Sequence, residues 1–140
     1  MVQKVYENED CQVPEDYQLY EDAEHFSSAI YLKEIQPFGD YHYIADSVLF
    51  PPAAYNNWHI YQVEQTLYVT KGRGWYQEEG KPAQLLKAGD VVHIPGGVKH
   101  WHGAAIDSWF EHLAIEDVSK GAPTWLERLN LDDYMQLDNI

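Results

Sequence analysis

Short apolar runs rich in β-branched and aromatic residues alternate with glycine, proline and polar residues along most of the chain. These runs are Ser28 to Ile35, Tyr41 to Phe50, Gln65 to Thr70, Gly74 to Glu78, Gln84 to Leu86, Val91 to Ile94, Lys99 to Ala104 and Trp109 to Ile115. Runs of this length and composition are typical of β-strands, and the glycines and prolines between them indicate turns. Many short strands at this spacing favour a sandwich or a barrel. We therefore predict an all-β fold.

The two ends of the chain depart from this pattern. Residues 1–24 mix acidic side chains and tyrosines with turn formers, which predicts an extended arm with one or two short strands or turns. We expect this arm to pack across a neighbouring subunit. Near the other end, the segments Pro123 to Leu129 and Leu131 to Met135 predict one or two short helices that cap the barrel. We accordingly divide the chain into the arm and a single domain, residues 25–140.

Charge and cysteine content narrow the range of partners. The 140 residues carry 23 acidic and 9 basic side chains, a formal net charge of −14, which disfavours binding to nucleic acids and anionic membranes. No apolar run approaches the ~20 residues of a membrane-spanning helix, and the N-terminus lacks the apolar core of a signal peptide. The single cysteine, Cys11, forms no internal disulfide. We expect a cytoplasmic protein.

The clearest motif runs from Gly89 to His100, where the sequence fits the pattern G-x5-P-x-G-x2-H. A glycine turn opens a short apolar strand, and Pro95 closes it because proline has no N–H for a ladder hydrogen bond. A glycine corner then directs the histidine to a defined position on the next strand. Upstream, the frame G-x5-H-x-H-x3-E-x6-G is kept, and its positions read Ala53, His59, Tyr61, Gln65 and Gly72.

These two frames resemble the paired motifs of the cupins, which implies a jelly-roll barrel (double-stranded β-helix). In cupins, two histidines and a carboxylate from the first motif and one histidine from the second bind a divalent metal inside the barrel. A wider set of matches resembles one subgroup, the manganese-dependent cupin hydroxynitrile lyases and the cupins associated with carboxymuconolactone decarboxylase. The matches include Trp58-His59, Gln65-Thr66-Leu67, Gly89-Asp90-Val91-Val92, Lys99-His100-Trp101-His102-Gly103-Ala104-Ala105 and His112-Leu113-Ala114-Ile115.

The resemblance implies a site for a divalent transition metal (Mn, Fe, Ni or Zn) with His59 and His100 as ligands. Gln65 holds the carboxylate position, where the subgroup also uses a glutamine ligand, and Tyr61 replaces the second histidine as a poor ligand until ionised. The alternative is a hydrogen-bonded cluster with water and no metal, in which the phenol donates to a histidine and the amide bridges the imidazoles. Glu64 beside the turn is either a further ligand or an exposed side chain.

Two further histidines are candidates for proton transfer, because imidazole titrates near neutrality. His102 follows the histidine of the second motif by two residues and so shares its face of the strand. His112 lies on a later strand that lines the barrel in the resembling subgroup. The residues alone favour a structural role for each, and the resemblance favours a catalytic role for at least one. We interpret His25, His42 and His93 as structural or surface residues.

Aromatic side chains fill small barrels efficiently, and this chain has many of them. Those expected in the barrel walls are Trp58, Trp75, Trp101, Trp109, Tyr43, Phe50 and Tyr68. The element Gly72-Arg73-Gly74 resembles a hairpin turn. Despite its glycines it is not a phosphate-binding loop, because it lacks the flanking strand and helix of such a loop.

Two functions remain open at this stage. The first is a metal-dependent enzyme with lyase- or decarboxylase-like chemistry on a small carbonyl or aromatic molecule, in which the metal acts as a Lewis acid and His102 or His112 moves the proton. The second is a noncatalytic module that binds a small molecule in the same pocket without metal. We also expect a homodimer, because cupin barrels expose a sheet edge that a second subunit commonly covers.

Overall fold

The computed structural model describes residues 13–35, 43–117 and 121–137, which form ten strands and one helix. The strands are β1 (Gln18–Tyr20), β2 (Ile30–Ile35), β3 (Tyr43–Phe50), β4 (His59–Ile60), β5 (Gln65–Glu78), β6 (Gln84–Lys87), β7 (Val91–Ile94), β8 (His100–Ala104), β9 (Phe110–Asp117) and β10 (Thr124–Trp125), and the helix is α1 (Leu131–Gln136). The first half of the predicted arm, with Cys11, and His42 lie outside the described residues. No helix within the described ranges has the length and apolar character needed to cross a membrane.

One antiparallel sheet curls on itself to form the barrel. The strand order is β1-β2-β3-β9-β5-β8-β4-β10, and β6 and β7 also pair with β5. The first half of β5 pairs with β7 and β9, whereas its second half pairs with β6 and β8. A single long strand therefore joins the two walls, and the prediction of an all-β jelly roll is confirmed.

The prediction of a hairpin turn at Gly72-Arg73-Gly74 is wrong, because β5 runs through this segment without a break. The pairing of β5 with β9 instead shifts register between Val69 and Lys71. Gly72 has a φ of 74°, and a Cβ atom there would lie 1.7 Å from the carbonyl oxygen of Trp109. The glycine thus permits a close backbone contact where the strand passes from one wall to the other, directly after this irregularity.

The predicted helix over Pro123 to Leu129 is also wrong. Thr124–Trp125 forms β10, which pairs with β4 so that Trp125 lies opposite His59. The indole packs on the imidazoles of His25 and His59, with ring centroids 4.4 and 4.8 Å away. Ring packing therefore holds this segment extended at the edge of the sheet.

The second predicted helix is present as α1. The side chain of Asn130 caps its N-terminus by accepting a hydrogen bond of 3.1 Å from the backbone N–H of Asp133. Tyr134 is the buried residue of this helix, and its hydroxyl donates to the carbonyl oxygen of Ala104 at 2.6 Å. The helix is thereby attached to the end of β8.

The core lies between the two walls and is made by the inward side chains of the strands. Phe50, Trp75, Trp101 and Trp109 are buried as predicted, and Trp58 is partly buried. Tyr43 and Tyr68 are instead 52% and 42% exposed. Alternation along a strand explains Tyr68, because its neighbours Leu67 and Val69 point inward.

Candidate metal centre and its pocket

A cavity of about 290 Å³ lies against the inner face of the sheet. Rings such as Phe26, Phe50 and Trp125 form its apolar walls. The polar side chains that line it are Asp46, Asn56, His59, Tyr61, Gln65, His102, His112 and Glu116. Small-molecule sites commonly combine apolar walls with a few convergent polar groups in this way.

Three buried imidazoles converge beside this cavity. One ring nitrogen from each of His59, His100 and His102 lies within 4.8 Å of the other two. His59 and His100 are opposite each other on β4 and β8, with ring centroids 4.2 Å apart. His100 does not line the cavity itself but lies behind the ring of His59. Three convergent nitrogen donors suit a divalent transition metal.

Backbone carbonyls fix the tautomers of two of these rings. Nδ1 of His59 lies 2.8 Å from the carbonyl oxygen of Asn57, and Nδ1 of His100 lies 2.9 Å from that of Val98. A carbonyl oxygen only accepts, so each Nδ1 carries the proton and each Nε2 keeps a free lone pair. Metal-binding histidines are usually oriented by such a contact at the other ring nitrogen.

The third imidazole is held by an asparagine. Asn56 accepts a hydrogen bond of 3.0 Å from the backbone N–H of His102, and its amide nitrogen lies 3.4 Å from Nε2 of the same residue. Nδ1 of His102 and Nε2 of His100 are buried and have no hydrogen-bond partner among the described residues. Orphaned buried nitrogens of this kind indicate a ligand, and the donor set fits a metal ion.

Burial keeps these imidazoles neutral. Desolvation, with a smaller contribution from the neighbouring His100, lowers the pKa of His59 to about 3. Desolvation also lowers the pKa of His100, and it lowers that of His102 far below its ordinary value. Neutral imidazole is the form that binds metals and accepts protons.

His112 is buried against the rings of Phe50 and Phe110, and its own ring centroid lies 4.9 Å from that of His102. Both of its ring nitrogens lack a hydrogen-bond partner among the described residues. Desolvation lowers its pKa to about 3. The ring therefore lines the cavity as a neutral group with a free acceptor.

Tyr61 and Gln65 meet at Glu116, a residue that the sequence analysis missed. Nε2 of Gln65 donates to Oε1 of Glu116 at 3.3 Å, while Oε1 of Gln65 has no partner within the described part of the chain. The Tyr61 hydroxyl interacts with the same carboxylate. Burial, and then the charge of Glu116, raise the pKa of Tyr61 above its ordinary range, so the phenol stays protonated and is a poor metal ligand.

Asp46 is the second carboxylate that the sequence analysis missed in this cavity. Burial raises its pKa, with a smaller contribution from the neighbouring Glu34. Side chains alternate between the two faces of a strand, and both missed residues occupy inward positions. On β9, for example, Glu116 follows His112 and Ala114 at every second position. The sequence signal for both is a polar residue at a position that this alternation assigns to the buried face of the strand.

The remaining candidates lie away from the centre. Glu64 is at the surface, where its carboxylate lies 3.2 Å from Nε2 of the exposed His93. His25 is bonded to Asp22 at 2.8 Å and stacks on Trp125. The interpretation of His25 and His93 as structural and surface residues agrees with these positions.

Known proteins share both the sequence and the fold. (R)-mandelonitrile lyase of Granulicella tundricola is 44% identical over 89 residues, which cover 63% of this chain and 68% of the relative. Acireductone dioxygenase of Trichormus variabilis is 38% identical over 53 residues, 35% of this chain and 29% of that relative. The crystal structure of a cupin-like protein of Thermotoga maritima superposes with a TM-score of 0.81 at 36% identity, covering 90% of this chain and 96% of the other. The sequence profile of the cupin domain matches residues 47–115. With a curled antiparallel sheet around buried histidines, this chain belongs to the cupin family.

Proposed function

We propose that this cupin is a metal-dependent enzyme with lyase- or decarboxylase-like chemistry on a small carbonyl or aromatic molecule. The observation that supports it most is the convergence of ring nitrogens from His59, His100 and His102 within 4.8 Å. Gln65, whose amide oxygen is free, is the fourth candidate ligand. When bound, a divalent ion there supplies Lewis-acid polarisation of a substrate oxygen.

This proposal gives His102 a role that differs from the one predicted from the sequence. Tyr61 stands where the cupin frame has an imidazole, and its hydroxyl is engaged with Glu116. His102 brings a third imidazole to the cluster, so we assign it to the ligand set rather than to proton transfer. His112 then remains as the proton-transfer residue, because it lines the cavity with unpartnered nitrogens.

The chemistry expected of His112 follows from its burial. Mandelonitrile, the compound in the name of one relative, is a hydroxynitrile with an aromatic ring. For such a substrate, neutral His112 accepts the hydroxyl proton, the carbon–carbon bond breaks, and the cyanide leaves with the bonding electron pair as the carbonyl forms. With a pKa lowered to about 3, the ring holds the proton only while an anion lies beside it, and then returns it to the leaving group.

The cavity also selects the charge of its ligand. Its walls include the carboxylates of Asp46 and Glu116, and none of the described residues that line it is a lysine or an arginine. A carboxylate ligand would be desolvated beside like charges, which is unfavourable. Aromatic rings such as Phe26 and Trp125 instead suit a planar ring. We therefore infer a neutral or cationic substrate of small size.

A noncatalytic binding module is the second candidate, and Tyr61 is the observation that favours it. The phenol replaces an imidazole ligand, and Gln65 already replaces the carboxylate, so the remaining ligand set is smaller and neutral and compensates a divalent charge less well in the interior. In that case the cavity binds the organic molecule alone. Metal binding separates the two candidates.

The test is calorimetric titration of manganese, iron(II), nickel and zinc into chelator-treated protein. We expect binding by the wild type and its loss in His100→Ala. His93→Ala is the matched control, because His93 is exposed and away from the cluster, and it should bind as the wild type does. If the wild type binds none of the four ions, the enzyme proposal is refuted and the binding module remains.

A further inference from the structure

Glu116 connects two positions of the first cupin frame that are not neighbours in sequence. It lies directly opposite Gln65 in the β5–β9 ladder. Its carboxylate accepts the hydrogen bond from Nε2 of Gln65 at 3.3 Å, and its charge acts on the hydroxyl of Tyr61. Glu116 thus influences both positions at which this chain departs from the usual ligands.

The first consequence concerns the orientation of the Gln65 amide. An ionised carboxylate accepts hydrogen bonds and does not donate them. With Glu116 beside it, the amide is therefore held with its nitrogen toward the carboxylate and its oxygen away from it. The side chain is only 4% exposed, and its oxygen has no partner among the described residues. The oxygen, which is the atom that binds metals, is thus not used by another described residue, and Gln65 lines the cavity.

The second consequence concerns Tyr61. Its buried hydroxyl lies under the influence of the Glu116 charge, and its ring makes an edge contact with His59 at a centroid distance of 5.8 Å. A buried phenol beside a carboxylate keeps its proton and offers no anionic oxygen to a metal. Tyr61 therefore supports the neighbouring groups instead of replacing the missing imidazole.

The third consequence concerns charge. Three imidazoles and an amide oxygen are all neutral, and a divalent ion among them needs a nearby anion in a poorly solvated interior. Glu116 is the carboxylate that is hydrogen-bonded to a candidate ligand; burial raises its pKa, and the hydrogen bond from Gln65 opposes that shift. Asp46 lines the same cavity from β3 but makes no hydrogen bond to Gln65 or Tyr61 among the described residues. Its influence is through space alone.

We propose that Glu116 is a positioning residue of the metal site. It orients the Gln65 amide so that the oxygen is offered as a ligand, and it places a carboxylate beside the neutral ligands. This inference rests on the metal-dependent function proposed above. Carboxylates that orient metal ligands in this manner change metal affinity without touching the ion.

The test compares manganese affinity in chelator-treated wild type, Glu116→Gln, Glu116→Asp and Asp46→Asn by calorimetry. Glu116→Gln is nearly isosteric, and we expect it to weaken binding on the order of tenfold or more. Glu116→Asp keeps the charge but is one methylene shorter, so it should also weaken binding, by less. Asp46→Asn is the matched control, since it removes a carboxylate from the same cavity without breaking a ligand contact, and we expect its affinity to stay within about threefold of the wild type.

A second readout needs no metal. In the wild type the side-chain NH₂ resonances of Gln65, identified by their absence in Gln65→Glu, should be shifted and slow to exchange with solvent, and Glu116→Gln should abolish both effects. The positioning role is overturned if Glu116→Gln binds manganese as tightly as the wild type does, or if Asp46→Asn loses as much affinity as Glu116→Gln. Either result leaves the proposal of a metal site intact. No binding by the wild type removes the proposed function and this inference together.

Discussion

His59 and His100 face each other across β4 and β8 with ring centroids 4.2 Å apart, and each ring is oriented by the backbone carbonyl two residues before it. The orienting groups are therefore backbone carbonyls of the segments that lead into these two strands, and not other side chains. Substitutions elsewhere in the pocket should leave these two rings in place, which makes affinity changes in the variants below interpretable.

Restoring an imidazole at position 61 should strengthen metal binding. We expect Tyr61→His to raise manganese affinity by about tenfold, since it returns the nitrogen ligand that the cupin frame provides there. Tyr61→Phe is the control, because it removes the hydroxyl without adding a ligand. Equal affinity in Tyr61→His and Tyr61→Phe would show that position 61 does not face the metal.

The stability of the metal-free protein should fall on acidification below about pH 6.5. In the unfolded chain His59 and His112 bind protons near their ordinary pKa, about 6.5, whereas in the fold their pKa values are lowered to about 3. The unfolded state therefore binds more protons between these values, so the free energy of unfolding decreases as the pH falls through this range. For one such histidine the loss between pH 6.5 and 5 is at most about 2 kcal/mol.

Urea unfolding of chelator-treated protein at pH 7 and pH 5 measures this effect. His112→Leu removes one of the buried groups and should reduce the difference between the two pH values. His93→Asn alters an exposed histidine and should leave that difference unchanged. If the unfolding free energy of His112→Leu changes between pH 7 and pH 5 as much as that of the wild type, His112 does not contribute to the pH dependence.

The charge preference of the cavity is testable with three ligands of similar size. In metal-free protein, benzaldehyde and benzylamine should bind at least about tenfold more tightly than benzoate, because benzoate would lie beside Asp46 and Glu116. Quenching of tryptophan fluorescence reports binding, with Trp125→Phe as the control for the indole that lines the cavity. Tighter binding of benzoate would exclude a neutral or cationic substrate.

Gly72 should tolerate no side chain. A Cβ there meets the carbonyl oxygen of Trp109 at 1.7 Å, so we expect Gly72→Ala to cost more than about 3 kcal/mol of unfolding free energy. Gly80 has a similar positive φ of 84° with nothing within 4 Å of its Cβ position, and Gly80→Ala should cost only about 1 kcal/mol. Chemical denaturation measures the unfolding free energy of both variants. The difference between them is the cost of the steric clash beyond the cost of a positive φ.

A homodimer remains a prediction. β1 is the outer strand at one end of the sheet order, and its residues Leu19 and Tyr20 are exposed. An exposed strand edge with apolar side chains favours pairing with a second copy. Sedimentation at micromolar concentration should give a dimer, and Leu19→Asp should shift it toward monomer. A monomeric wild type would contradict the prediction.

The spacing of glycine and proline was enough to predict the start of β8 and a defined position for His100 on it, because these residues restrict the backbone locally. Glu116 could not be found in this way. Its relation to Gln65 depends on the register between β5 and β9, which are far apart in sequence. Gly72 was misinterpreted for a related reason, since a positive φ is compatible with both a turn and a bulge, and only the position of Trp109 decides between them.

The pairing of β4 with β10 has a consequence for how the protein is made. His59 emerges from the ribosome well before Trp125, whose strand covers the edge of β4 and whose indole packs on the imidazole. His100 and His102 lie between them in the chain, and Tyr134 then anchors the helix to the end of the strand that carries both. The histidine cluster is therefore enclosed only after β10 and α1 have docked, and we expect a metal ion to bind the finished barrel rather than to guide its folding.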